Sequence, residues 1–167
     1  MRSRPRSQVF PAACSSSRER RWTCPTTAGD SRSDSHLPVY DVAVEHTERL
    51  RVTWVDTDAG GRIHFSNAFR WAEQAETGLR RKLGILTDWG DYPRKHVEAQ
   101  FHDVLRFEDE IDVRIAPERL GRTSITWRFE ITREGELCVE GRLVVVHVGD
   151  DGRPAPLTAE ERAALGD

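Results

Sequence analysis

The chain has 167 residues, 37% hydrophobic and 32% charged, with a formal net charge of −3. That is room for one domain with its own core and an extension. No apolar run approaches the roughly 18–20 residues that span a bilayer, which excludes a helical membrane protein. The acidic balance argues against a dedicated nucleic-acid binder. Three cysteines (Cys14, Cys24 and Cys138) without a CxxC pair exclude a disulfide framework and a zinc ribbon.

The charge is unevenly spread. Residues 1–36 hold seven Arg and three acidic residues, a net of +4, so the other 131 residues carry −7. The first segment also holds eight Ser and three Pro and has almost no apolar periodicity. Such a composition buries too little surface to offset its chain entropy. Residues 1–39 are therefore expected to be a disordered, basic, Ser/Arg-rich extension, and residues 40–167 the folded domain. The extension reads as dispensable, the product of a start codon assigned too early; an organellar transit peptide and a basic binding tail share its composition. No 7–15-residue apolar stretch follows the first arginines, so a secretory signal is not expected, and the chain is expected to be cytoplasmic.

Residues 44–55 predict a strand, with Leu50, Val52 and Trp54 alternating against polar neighbours. The turn-rich DTDAGGR run ends it. A helix is expected over 65–83, where Phe65, Phe69, Ala72, Ala75, Leu79 and Leu83 recur on one face. Ser66 or Asn67 is the expected N-cap and Gly84 the stop. Ala68, Ala72 and Ala75 are small enough to let a neighbouring layer approach closely. Residues 86–95, with Gly90 and Pro93, read as a loop. Four strands follow, over 96–107, 110–116, 123–133 and 136–148, with Gly121 and Gly135 at two hairpin turns. LVVVHV is apolar on both sides, as in an interior strand. Thr158 and Glu161 form a capping box for a short last helix. The order is β, α, then antiparallel β, an α+β class with one long helix on one sheet face. A single helix leaves apolar surface and a sheet edge uncovered, so a dimer is expected.

The sharpest local feature is Asp56-Thr57-Asp58-Ala59-Gly60-Gly61-Arg62-Ile63-His64-Phe65. Two carboxylates precede two glycines, which free the backbone to turn and to approach a ligand. The helix that follows presents unpaired N–H groups at its start, where negative charge is favoured. A carboxylate that acts as base or nucleophile, beside donors for an oxyanion, is the minimum apparatus for hydrolysing an activated acyl group. A polar turn whose aspartates cap the backbone fits the same residues. A calcium loop does not, because position 12 from Asp56 is Asn67 rather than Glu. No GxSxG elbow supports a serine hydrolase.

Placed between a first strand and one long helix, RLRVTWVDTDAGGRIHFSNAFRWAEQAE resembles the 4-hydroxybenzoyl-CoA thioesterase family of hotdog-fold proteins. The resemblance covers about residues 46–148; LRFEDEIDV, with Asp109, is similar to the family's acidic strand-to-strand turn. It implies a hotdog fold, with a five-stranded antiparallel sheet wrapped around the helix, and hydrolysis of an acyl-CoA thioester. Asp58 matches the catalytic carboxylate. Phe65 matches the residue whose backbone N–H faces the oxyanion, and Gly61 the glycine that admits substrate. Asp56 matches a loop-orienting position beside it. The resemblance further implies an acyl tunnel at a subunit interface, in a homodimer or homotetramer, and no cofactor beyond the coenzyme A of the substrate. Two positions depart from the pattern. Ala68 replaces a common Tyr, which widens the acyl pocket or weakens the site. His64 replaces an aromatic residue, either as a donor and acid to the leaving thiolate or as a packed side chain.

Other residues rank below these. Glu73 and Glu76 lie on the helix, where related enzymes place a glutamate; Glu73 reads as a charged-face residue. Arg94 and Lys95, with Arg106 and Arg122, are candidates for coenzyme A phosphates. Arg80, Arg81 and Lys82 are a candidate basic patch for an acyl carrier protein, the alternative thioester donor. His96, His102 and His147 lack metal-ligand spacing, and no metal is expected. Trp71, Trp89 and Trp127 read as core or interface, and Cys138 as a buried apolar residue. A non-catalytic acyl binder remains the reading of another class. A hydratase would need an aspartate–histidine pair that Asp58 and His64 do not match.

Overall fold

The computed structural model describes residues 44–86 and 92–167. The expected disorder of residues 1–39 and the assignments of Trp89 and Gly90 lie outside these. Within them the chain forms β1 (His46–Arg51), a 3-10 turn (Trp54–Asp56), α1 (Ser66–Lys82), β2 (Arg94–Phe101), β3 (Glu110–Leu120), β4 (Ser124–Arg133), β5 (Glu136–Val146) and α2 (Ala159–Ala164). The strands make one antiparallel sheet in the order β1-β3-β4-β5-β2. α1 lies against β1 and β3. This is the five-stranded sheet and single long helix expected from the sequence. Neither described helix is long and apolar enough to cross a membrane.

The first strand is shorter than expected. Alternation holds through Leu50 and Val52, but Trp54 is 74% exposed. Thr53 and Asp56 close a capping box that bends the chain into the 3-10 turn and carries Trp54 outward. The third segment is shifted: β2 begins at Arg94, inside the expected loop, and ends at Phe101, because residues 102–109 turn back toward the start of β3. β3 runs four residues past the expected end, to Leu120. Neither Ser66 nor Asn67 caps α1. Phe65 takes the N-cap position without a side-chain bond, because Ser66 turns to His64 and Asn67 to the backbone of Asp56. Gly84 does stop the helix, at φ 75°, where glycine carries no steric penalty.

Ala68, Ala72, Ala75 and Leu79 on α1 are fully buried against the inner sheet face of Val113, Ile115, Trp127 and Phe129. The three alanines let the helix sit close to the strands. The outer sheet face is polar and cross-linked. Arg49 pairs with Asp112 at 2.9 Å, and Arg142 with Glu118 at 2.7 Å and Glu98 at 3.0 Å. These hydrogen-bonded guanidinium groups hold Asp112 and Glu98 below the ordinary carboxylate range. Their contribution is present above the unfolded-state value and fades as the pH falls through the folded one; being solvated, it is small.

Gly141 of β5 faces Phe129 across the β4–β5 pair. A Cβ there would sit 2.2 Å from the Glu98 carbonyl oxygen of β2 and 2.6 Å from the Phe129 ring. Neither can withdraw, since one lies on the paired strand β2 and the other in the core. Gly141→Ala is expected to destabilise the domain by about 1–3 kcal/mol, read as a lower urea midpoint with unchanged slope.

Candidate active site

Residues 56–64 form a tight hairpin. Its backbone closes through His64 N–H to Asp56 O at 2.8 Å, the Thr57–Ile63 bridge, and Asp58 N–H to Arg62 O at 2.7 Å. Asp58 therefore stands at the neck of the turn formed by Ala59, Gly60 and Gly61. Gly61 has φ 70°, a left-handed conformation that a β-carbon would strain. Ile63 N–H donates to Leu105 O at 3.0 Å, which fastens the hairpin to the 102–109 segment.

The two aspartates occupy different environments. Asp56 is buried, and its Oδ2 accepts from the Thr53 N–H at 2.8 Å and the Thr53 hydroxyl at 2.6 Å. Its carbonyl oxygen also accepts from Asn67 Nδ2 at 2.7 Å. Asp56 holds the loop and is not presented to a ligand. Asp58 is exposed. Its Oδ1 accepts from the Gly60 N–H at 2.7 Å and, at 3.4 Å, from the Arg62 N–H. Its Oδ2 takes no partner among the described residues.

Phe65 starts α1, and its N–H has no acceptor among the described residues. Its side chain is 62% exposed. The His64 ring tilts against Phe65, centroids 4.6 Å apart, and its Nδ1 meets Ser66 Oγ at 2.8 Å. Asp58 and His64 thus lie on one backbone hairpin, and Phe65 follows it directly at the start of α1. Asn67, which sequence reasoning treated only as a cap, ties the first turn of α1 to that hairpin. The signal was there: an asparagine beside Ala68, on the stripe of the helix that the core requires to be apolar.

Ala68 is fully buried in the core. Arg94 turns away from solvent anions: it bonds to Glu76 and lies 4.0 Å from Glu73. Lys95 is exposed on the edge strand β2. Arg122 lies in the β3–β4 turn, where its carbonyl accepts from Leu157 N–H. Asp109 accepts from the Arg106 N–H at 2.8 Å and from Arg133 at 3.1 Å, so it shapes its turn.

Arg80 does not belong to a surface basic patch. It is 2% exposed, with Nε 3.0 Å from Glu76, itself 1% exposed. The Arg80 guanidinium lies 4.2 Å over the Tyr92 ring and 5.5 Å from Trp127. Only Arg81 and Lys82 remain exposed there. Trp71 and Trp127 are core residues. Of the three histidines only His96 lies on a strand, His102 and His147 standing one residue past β2 and β5; their local partners are Glu98 for His96, Glu140 for His102, and the Pro156 carbonyl for His147. Burial raises the Cys138 thiol above its ordinary value and keeps it protonated.

Two open grooves of about 500 and 520 Å³ lie on the molecule, and Asp58 lines neither. The segment that leads into the hairpin exposes apolar side chains. Trp54 and Val55 are 74% and 80% exposed, and Trp54 meets Phe107 edge-on.

Residues 60–140 match the family model described as the thioesterase superfamily. A 1,4-dihydroxy-2-naphthoyl-CoA hydrolase of Prochlorococcus marinus (strain NATL1A) is 28% identical in an alignment that covers 67% of this chain and 79% of that protein. A predicted thioesterase from Bacillus stearothermophilus has a structure that matches with TM-score 0.66 and 26% identity, over 72% of this chain and 93% of that one. A thioesterase from Thermus thermophilus, solved with coenzyme A and zinc, matches with TM-score 0.65 and 24% identity, over 72% of this chain and 90% of that one.

Proposed function

We infer, from a chain that carries a hotdog-fold domain of the thioesterase superfamily, that it hydrolyses an acyl-CoA thioester to the free acid and coenzyme A. The observation that carries the mechanism is the unpartnered Asp58 Oδ2 on the hairpin that leads into the unaccepted Phe65 N–H. In this reading Asp58 takes a proton from water as it attacks the thioester carbonyl, or attacks that carbonyl itself. The negative charge that develops on the carbonyl oxygen is met by the Phe65 amide at the positive end of α1. His64, with Nε2 free of partners among the described residues, donates to the departing thiolate. Asp56 and Asn67 hold the hairpin in register with the helix start.

A second copy of the chain completes the site in this reading. Trp54, Val55 and Phe65, exposed apolar residues next to the hairpin, would be covered, and β2 offers an unpaired edge.

Thiol release from short, long and aromatic acyl-CoA esters tests the reaction; a hydroxyaroyl ester belongs in the panel because the Prochlorococcus relative is named for one. No release from any ester would overturn it. Two variants test the amide. Phe65 has φ −51°, close to the proline value, so Phe65→Pro removes the N–H at a compatible angle. It is expected to lower kcat by about 10²–10³-fold, whereas Phe65→Ala keeps the donor and most of the rate. Equal losses in both would assign the effect to the ring instead.

A further inference from the structure

We propose that Asn67 is a positioning residue for the reaction, because it fixes the peptide group that carries the Phe65 N–H; this rests on the acyl-CoA reading above. Asn67 lies in the first turn of α1 and is 4% exposed. A helix that only had to pack would carry an apolar side chain there, as it does at Ala68, Trp71 and Ala72. A buried carboxamide needs hydrogen-bond partners, and those of Asn67 all lie around the helix start. Its backbone N–H donates to His64 O at 2.9 Å, and its Nδ2 to Asp56 O at 2.7 Å. Its Oδ1 accepts from Arg70 Nη1 at 3.4 Å. The Asp56 carbonyl can only accept and the Arg70 guanidinium can only donate, which decides the end of the carboxamide that meets each.

These bonds converge on one peptide unit. The His64 carbonyl and the Phe65 N–H belong to the same planar group, in which C=O and N–H point in opposite directions. Holding the carbonyl toward the Asn67 N–H therefore turns the Phe65 N–H the other way, where it has no acceptor among the described residues. The other side of His64 is held too, since its N–H donates to Asp56 O at 2.8 Å. Asp56 O thus takes both the His64 N–H and the Asn67 Nδ2, and a closed ring of hydrogen bonds joins hairpin and helix around His64. The neighbouring Ile63 N–H ties the hairpin to Leu105 and not to α1. Without the Nδ2 bond, the angle between hairpin and helix start rests on the backbone of His64. A donor that meets a developing oxyanion acts by being held in place before the charge forms, and a misplacement of about 1 Å can cost two orders of magnitude in rate.

Asn67→Leu tests this. Leucine branches at the same carbon and fills a similar volume, so it opens no cavity, and Asp56 O keeps the His64 N–H. Its kcat for an acyl-CoA ester is expected to fall about 10–10²-fold with KM little changed. Asn67→Ala should lose as much rate while also losing stability to a cavity, so a rate that follows the missing carboxamide rather than the urea midpoint marks positioning. A double-mutant cycle with Phe65→Pro separates the two roles further. Where proline has already removed the donor, Asn67→Leu should cost little more rate. Losses that multiply in the cycle, or an Asn67→Leu enzyme at the wild-type rate, would overturn the proposal. If the wild type hydrolyses no ester, or Phe65→Pro costs nothing, the reading beneath fails on its own. Amide hydrogen exchange then decides whether Asn67 holds the peptide. The His64 N–H is expected to exchange about tenfold faster in Asn67→Leu, with the β4 and β5 amides still protected; unchanged exchange at His64 would overturn it.

Discussion

Asp58→Asn is expected to lower kcat for acyl-CoA hydrolysis by about 10²–10⁴-fold, the range for loss of a positioned proton acceptor. KM and thermal stability should change little. The asparagine carbonyl oxygen can still accept from the Gly60 N–H, which lies 2.7 Å from Oδ1 in the native loop. The hairpin therefore keeps its shape, and an exposed side chain leaves no cavity in the core. The anionic oxygen is lost, and with it the group that accepts a proton or attacks the carbonyl. Thiol release at saturating substrate, with circular dichroism to show an intact fold, measures the effect. Undiminished kcat would remove Asp58 from the mechanism and leave His64 as the group to examine. A fall in kcat/KM carried entirely by KM would instead make Asp58 a binding residue.

The second large effect is on stability. Glu76→Ala is expected to destabilise the domain by about 3–5 kcal/mol, because it strands a buried guanidinium. Arg80 would retain the Tyr92 ring at 4.2 Å and Glu161 at 3.9 Å, but no carboxylate at hydrogen-bonding distance among the described residues. Its Nη2 already lacks a hydrogen-bond partner among the described residues. Replacing both partners by apolar residues, as in Glu76→Leu/Arg80→Met, should recover most of the loss, since neither charge then remains to be desolvated. Urea unfolding of the two single variants and the double variant closes the cycle. A loss below about 1 kcal/mol for Glu76→Ala would mean that water reaches the pair and that it behaves as a surface ion pair. The folded fraction of Glu76→Ala should still release thiol at the wild-type rate per molecule, which separates this buried glutamate from a catalytic one.

The sequence by itself determined the class of fold and the turn that leads from the first strand into the long helix. The period-2 alternation of Ile125, Trp127, Phe129 and Ile131 can satisfy only a half-buried strand. The three- and four-residue spacing of Ala72, Ala75 and Leu79 can bury only one side of a helix; Phe65, read onto the same face, is exposed because it precedes the first helical turn. The Asp-Gly run between β1 and α1 could only turn, and a turn before a helix start puts a carboxylate near free N–H groups. These are local properties, set by backbone geometry within a few residues, and they carried over into the structure.

What required the tertiary structure was which polar groups neutralise one another. Asp56 and Asp58 are two residues apart and chemically identical, yet Thr53 claims one and leaves the other exposed. Arg80 and Arg81 are neighbours in a basic run, yet helical geometry turns one into the core against Glu76 and leaves the other in solvent. Arg94 and Arg106 looked equivalent as phosphate ligands until packing gave one a carboxylate and left the other free. The start of β2 was likewise decided by its pairing with β5, a strand far along the chain. Charge availability depends on three-dimensional neighbours at distances of a few ångströms, and linear spacing does not encode those distances.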